Sequence, residues 1–163
     1  MKPESNTLHP SAQKVQDFLD RNGYDCEVFE LAGSTRTAGE AAEAIGCQVA
    51  QIAKSLVFRN RETGEPVLVI ASGANRVDVK KIRESLALRL GKADGNYVKD
   101  TTGFAIGGIP PVCHKKVLQT ILDPDLKKYE EIWAAAGTPH GLFKLNPGDL
   151  ESMTGGVWLD IAE

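Results

Sequence analysis

The sequence predicts an α+β fold: a single domain over residues 1–163, built on a curled, barrel-like mixed sheet flanked by helices. Three observations carry this. The strand-like runs sit next to one another in hairpin pairs, with helices at irregular intervals, so the strict βαβ alternation of a doubly wound fold is absent. A chain of 163 residues with 42% apolar and 25% charged residues can bury one sizeable core. No internal repeat, low-complexity tract or linker divides it.

Residues 1–10 read as a flexible leader. Ser11 can cap a helix over 12–22 that puts Val15, Phe18 and Leu19 on one face and stops at Gly23. Asp25–Leu31 alternates polar and apolar residues, as a strand does. Thr37-Ala38-Gly39-Glu40 is a capping box, and the short alanine-rich helix after it ends at Gly46. The second half of Val49–Phe58 is a buried strand with Lys54 at its start. Glu62-Thr63-Gly64-Glu65 turns the chain into a second buried strand, Pro66–Ser72, closed by Gly73. Asp78 caps a basic helix over Val79–Leu90 with Ile82, Leu86 and Leu90 inward. Residues 92–101 are polar and end in the Gly/Pro loop. Val117–Leu122 is a strand, Asp123-Pro124-Asp125 a turn, and Leu126–Glu131 too charged for the core. Ile132–Ala136 is a small strand that breaks at Gly137-Thr138-Pro139-His140-Gly141 and resumes through Leu142, Phe143 and Leu145. Asn146-Pro147-Gly148-Asp149 opens a last helix with a cap, a proline at its first position and an acid in its first turn. Val157–Ile161 is a final strand.

Composition narrows the function. The net charge of −3 argues against coating nucleic acid by charge alone, and against DNA as a partner. The charge is uneven: Arg76, Lys80, Lys81, Arg83, Arg89 and Lys92 stand against Asp78 and Glu84. Such a run is a solvated helix face or a phosphate-binding face. No apolar run is long enough for a membrane span, and the first ten residues lack a signal-peptide core. Cys26, Cys47 and Cys113 are widely spaced, which fits reduced thiols in the cytoplasm and no disulfide frame. No metal, nucleotide, dinucleotide or serine-hydrolase signature is present, so neither a metal nor a cofactor is expected.

Two features stand out chemically. Thr102–His114 packs three glycines and two prolines into thirteen residues. Gly107-Gly108 permits close backbone approach and Pro110-Pro111 fixes φ twice, so this loop is stiff and its polar groups are aimed. Lys54 interrupts the apolar segment Ile52–Phe58; it either snorkels to the surface or grips a phosphate or carboxylate. Cys113-His114 does not read as a thiolate pair, because neighbours in an extended chain face opposite ways. A cysteine hydrolase built on Cys113 is a remote third reading. His114 and His140 each sit beside a stiff loop.

Lys54 in Ile-Ala-Lys-Ser-Leu, the Thr102–Pro111 loop and the Gly137-Thr138-Pro139-His140 turn together resemble the YbaK / prolyl-tRNA synthetase-associated domain family, over residues 10–162. The resemblance implies that family's fold and a trans-editing activity: removal of a mischarged small amino acid, alanine, cysteine or serine-like, from tRNA, with tRNA(Pro) the first choice. Cleavage in the family is substrate-assisted, through a ribose hydroxyl or the amino acid's own thiol. Lys54 matches the lysine that holds the backbone of the tRNA 3′ end. Gly107, Gly108 and Ile109, with Pro110 and Pro111, match the loop that orients the aminoacyl carbonyl, where main-chain N–H groups could act as an oxyanion hole. Thr102 opens that loop. Gly137 matches the glycine lining the amino-acid pocket, and His140 lies near a substrate-side histidine. Relatives often carry glycine where this chain has Cys113. Arg76, Lys80, Lys81 and Arg83 become candidate acceptor-stem contacts. The implied partner is mischarged aminoacyl-tRNA, with a synthetase left open as a docking partner. The alternative is a module of the same fold that binds aminoacyl-tRNA or a small metabolite without cleaving it.

Overall fold

The computed structural model describes residues 7–163. Residues 1–6 of the expected leader lie outside the described residues. Within the rest of it, Leu8 packs on the main core and Pro10 begins a helix.

Helix α1 (Pro10–Arg21) starts two residues earlier than the sequence suggests, because His9 and not Ser11 caps it: the His9 ring accepts from the Ser11 N–H at 3.1 Å. Proline at the first helical position loses no hydrogen bond. Val15 and Leu19 bury one face of it. Strand β1 is only Val28–Glu30. Helix α2 (Ala38–Ile45) carries the expected capping box, with Thr37 and Glu40 each accepting from the other's backbone N–H. Strands β2 (Ile52–Asn60) and β3 (Pro66–Ser72) form the central hairpin. Every residue of β3 is buried, and its side chains alternate between two clusters. Leu68 and Ile70 join Val15, Leu19, Phe143 and Leu150. Val67 and Val69 join Ile82 and Ile161. A strand covered on both faces reads as a continuous apolar run, which is why it is legible in the sequence.

Helix α3 (Val79–Leu86) stops four residues before the expected end, at Ala87 in the left-handed region. Leu90 is buried as expected, but on the short strand β4 (Leu90–Gly91). Helix α4 (Gly95–Thr102) forms in the stretch that the sequence marks only as polar. Asp94 caps it by accepting from Tyr97 N–H at 2.8 Å, yet only Val98 and Thr102 are buried on it, too few for a visible apolar period. Strand β5 (Gln119–Leu122) is followed by a tight helical turn over Pro124–Lys128. Leu126 in that turn is fully buried, contrary to expectation: its charged neighbours point to solvent while the leucine fills the main core. Strands β6 (Ile132–Ala135) and β7 (Gly141–Leu145), helix α5 (Pro147–Thr154) and strand β8 (Val157–Trp158) complete the chain.

The sheet is mixed and runs β1-β7-β6-β2-β3-β5-β8, with β4 paired to β2 beside that path. Among the described residues it does not close into a barrel. The β2–β3, β1–β7 and β6–β7 pairs are antiparallel. The β2–β6, β3–β5 and β5–β8 pairs are parallel. No helix among the described residues is long and apolar enough to cross a membrane.

Candidate functional site

A cleft of about 550 Å³ opens along β2. Its walls come from four separate stretches: Thr35–Ala38 ahead of α2, Ile52–Phe58 of β2, Lys92-Ala93 ahead of α4, and Ile106, Gly107 and Ile109 of the Gly/Pro loop. Ala135 and Leu142 line it from β6 and β7. Among these described wall residues the charged ones are Arg36, Lys54 and Lys92, all cations. A concave, largely apolar site rimmed by one sign of charge suits a small ligand with an anionic end.

Glycine is required at two adjacent points of the loop. Gly107 holds φ at +98°, and a Cβ there would also meet Arg36 Cγ at 2.6 Å. Gly108 lies so close to Thr138 that a Cβ would approach its backbone to 2.8 Å. The Gly108 N–H is spent within the loop, donating to Ala105 C=O at 3.1 Å. Of the three candidate oxyanion donors, Gly107 and Ile109 are the ones on the cleft wall. Ile109, Pro110 and Pro111 are buried, and the Pro110 carbonyl meets His114 Nε2 at 2.7 Å. Burial pushes the His114 imidazole below its ordinary pKa, partly offset by that bond. His114 therefore braces the loop from behind.

The turn 137–140 braces the opposite wall. Thr35 N–H and its hydroxyl both donate to the Pro139 carbonyl, at 2.6 and 3.0 Å. His140 Nδ1 meets Gly33 C=O at 3.0 Å, and Leu31 N–H donates to His140 C=O at 2.8 Å. These contacts aim Arg36 and Thr37 into the cleft. Gly137 packs against Ser11 and the Phe104 ring. Thr102 is fully buried; its hydroxyl donates to Val98 C=O at 2.7 Å and accepts from Phe104 N–H at 3.0 Å, which closes α4. The structure thus brings Lys54, Gly107 and Ile109 together on the cleft wall, whereas Gly108, Pro110, Pro111, Gly137, His140 and Thr102 do not line it. Short-range pattern identifies such loops but not which of their atoms face inward.

Lys54 is half-buried and donates to the Asn75 carbonyl at 2.6 Å. Burial lowers its pKa, the Asp123 carboxylate pulls it back up, and Arg76 adds to the lowering. Asp123 is 1% exposed and accepts from Ser72 N–H at 3.0 Å and Asn75 Nδ2 at 2.8 Å. Asn75 Nδ2 also reaches Asp125 at 2.8 Å. A buried carboxylate thus fixes the loop whose carbonyl holds the lysine. Nothing local marks Asn75 or Asp123 as members of the site, because they meet Lys54 only through the pairing of β2, β3 and β5.

The basic stretch does not face the cleft as a unit. Arg76, Lys80 and Arg83 are exposed on and beside α3, while Lys81 is tied to Asp160 at 3.1 Å and to the Ala162 carbonyl. Lys92 alone of that run lines the cleft, because the chain leaves the helix at Leu86. Arg36 escaped sequence reasoning; its neighbourhood to the Thr37 cap was the available signal. Cys113 stands apart, against Lys14, Asp17, Asp20 and Arg21 in a second cleft of about 410 Å³. Its φ is +72°, its thiol meets Lys14 C=O at 3.6 Å, and burial raises its pKa. A thiol held protonated and away from Lys54 is a poor nucleophile for this cleft.

An α+β sheet with a cation-rimmed cleft, walled on one side by a rigid Gly/Pro loop, defines a class of small domains that suit a ligand with an anionic end. The chain belongs to the aminoacyl-tRNA editing domain family, whose model matches residues 32–153. It is 32% identical over 154 residues to the uncharacterised protein YwhH of Bacillus subtilis (strain 168), covering 94% of this chain and 98% of that one. It is 32% identical over 134 residues to EbsC of Enterococcus faecalis (strain ATCC 700802 / V583), a proposed Cys-tRNA(Pro)/Cys-tRNA(Cys) deacylase, covering 77% of this chain and 76% of that one. Among solved structures, a proposed trans-editing enzyme for prolyl tRNA synthetase superposes with a TM-score of 0.90 at 46% identity, over 96% of this chain and 99% of the other.

Proposed function

We propose that this chain is a trans-editing deacylase that frees a mischarged small amino acid from tRNA(Pro). The observation that carries this reading is the convergence of Lys54, Arg36 and Lys92 with Gly107 and Ile109 on one cleft. The cations hold the 3′-terminal phosphates. The Gly107 and Ile109 N–H groups polarise the ester carbonyl, where charge develops as water adds. The ribose hydroxyl beside the ester relays a proton: it takes one from the attacking water and passes its own to the leaving ribose oxygen as the bond from the acyl carbon to that oxygen breaks. For a cysteinyl ester the substrate thiol can attack instead and leave as the cyclic thioester. Alanine, cysteine and serine are the candidate cargoes. Proteins of this kind exist because a synthetase gains only about 1–3 kcal/mol from one methylene and needs a second, smaller sieve.

The test is a deacylation panel: tRNA(Pro) charged with alanine, cysteine, serine or proline, and tRNA(Ala) charged with alanine. Selective loss of one mischarged tRNA(Pro), absent with Lys54→Ala, is the expected result. Binding of these species with no cleavage of any would replace the deacylase reading with that of a carrier.

A further inference from the structure

Ser55 and Val57 occupy a break in the sheet. Strand β2 pairs with β3 along one side. On its other side it meets β6 at Ile52 and Ala53, and β4 only at Arg59 and Asn60. Between these, no strand among the described residues lies opposite. Along an antiparallel pair, successive residues turn their N–H and C=O alternately toward the partner and away. Asn60 N–H donates to Glu65 C=O at 2.8 Å and Gly73 N–H to Ile52 C=O at 2.7 Å, so the even-numbered residues of β2 bond β3. Arg61 N–H donates to Arg89 C=O at 2.8 Å, on the other side. Ser55 and Val57 therefore direct their N–H and C=O groups into the break, and both line the cleft. Unpaired main-chain groups in a cleft wall are costly unless something binds them. Ser55 adds a second orphan: its hydroxyl is buried with no hydrogen-bond partner among the described residues.

We propose that this open edge reads the base of the terminal adenosine, a reading that rests on the deacylase function above. The Ser55 carbonyl accepts from the exocyclic amine of the adenine, and the Val57 N–H donates to the adjacent ring nitrogen. A carbonyl and an N–H two residues apart on one edge present acceptor and donor side by side, the pair that one residue of a parallel strand would bridge. Adenine matches that pair in polarity; hypoxanthine, with a carbonyl in place of the amine, sets acceptor against acceptor. Phe58 lines the cleft beside this edge, and Ile106, 55% exposed at its wall, gives a further apolar surface for a base. Arg36 and Lys92 remain for the phosphate.

Two measurements test it. The first titrates the isotope-labelled full chain with adenosine monophosphate and inosine monophosphate while following backbone amides. The adenosine nucleotide should shift the Val57 and Ser55 amides, with apparent affinity about tenfold above that of the inosine nucleotide. Equal affinity, or no movement of those two amides, would overturn the proposal. The second compares mischarged tRNA(Pro) ending in adenosine or inosine: kcat/KM should fall about tenfold with inosine, mainly through KM. Equal values would refute base reading at this edge. The titration needs no turnover, so a protein that cleaves nothing yet separates the two nucleotides loses the deacylase reading and keeps this one.

Discussion

Lys54 sits where its charge is costly, and its surroundings show how that charge is kept. Burial disfavours the ammonium, and the Asp123 carboxylate restores part of the balance. Replacing Lys54 with alanine should lower deacylation about 100-fold, the scale of one lost charge-assisted contact, while Tm moves by only a few degrees; steady-state kinetics beside a melting curve checks both. Asp123→Asn removes the negative charge that raises the lysine pKa. Activity that needs the ammonium should then fall at lower pH than in the parent, shifting the alkaline limb of the pH–rate profile downward. An unmoved limb would show that Asp123 serves packing alone. His114 gives a prediction of opposite kind. Its folded pKa lies below its unfolded one, so the unfolded chain binds more protons between the two values. Stability should therefore drop as pH falls through about 6.5 toward the folded pKa. His114→Gln, which can still donate to the Pro110 carbonyl, should flatten that loss when Tm is followed from pH 7.5 to 5.5.

At the scale of elements, helix ends and sheet edges do most to place the site. The Thr37 cap starts α2 at the residue after Arg36 and Thr37 reach the cleft, so the cap sets where the wall ends. Thr37→Ala should cost about 1 kcal/mol in a denaturant titration and raise KM with little change in kcat, because it loosens a binding wall and touches no reacting atom. Elements with strong local signals were legible in the sequence: the capping box, the β2–β3 hairpin, and the proline-led helix α5. Helix α4 was not, since its cap is clear but its buried face holds only Val98 and Thr102. Leu126 was hidden for the converse reason: a single leucine among charges carries no period, yet its turn aims it into the core.

For the whole molecule, charge decides how tRNA is met. A chain of net charge −3 cannot hold nucleic acid over its whole surface, so affinity should rest on a few focused cations. Arg36 and Lys92 lie on the cleft wall, whereas Lys81 is neutralised by Asp160. Lys92→Gln should weaken tRNA binding and reduce the slope of log K against log salt by about 0.7, as for one single-strand phosphate contact; Lys81→Gln should leave the slope nearly unchanged. Binding isotherms at several salt concentrations separate the two.

By itself the sequence determined the α+β class, the central hairpin, the Thr37, Asp78 and Asn146 helix caps, Lys54 as the anomalous charge and Gly107-Gly108 as a loop of close approach. All of these are local: propensity, capping chemistry and a charge in an apolar run act within a few residues. The tertiary structure alone decided that Arg36 and Lys92 join Lys54, that Asn75 and Asp123 hold it, that Cys113 stands elsewhere, and that β2 is left open at Ser55 and Val57. Those facts depend on which strands pair and where each pairing stops. Such long-range choices are made by burying apolar faces against one another, and no short stretch of sequence records them.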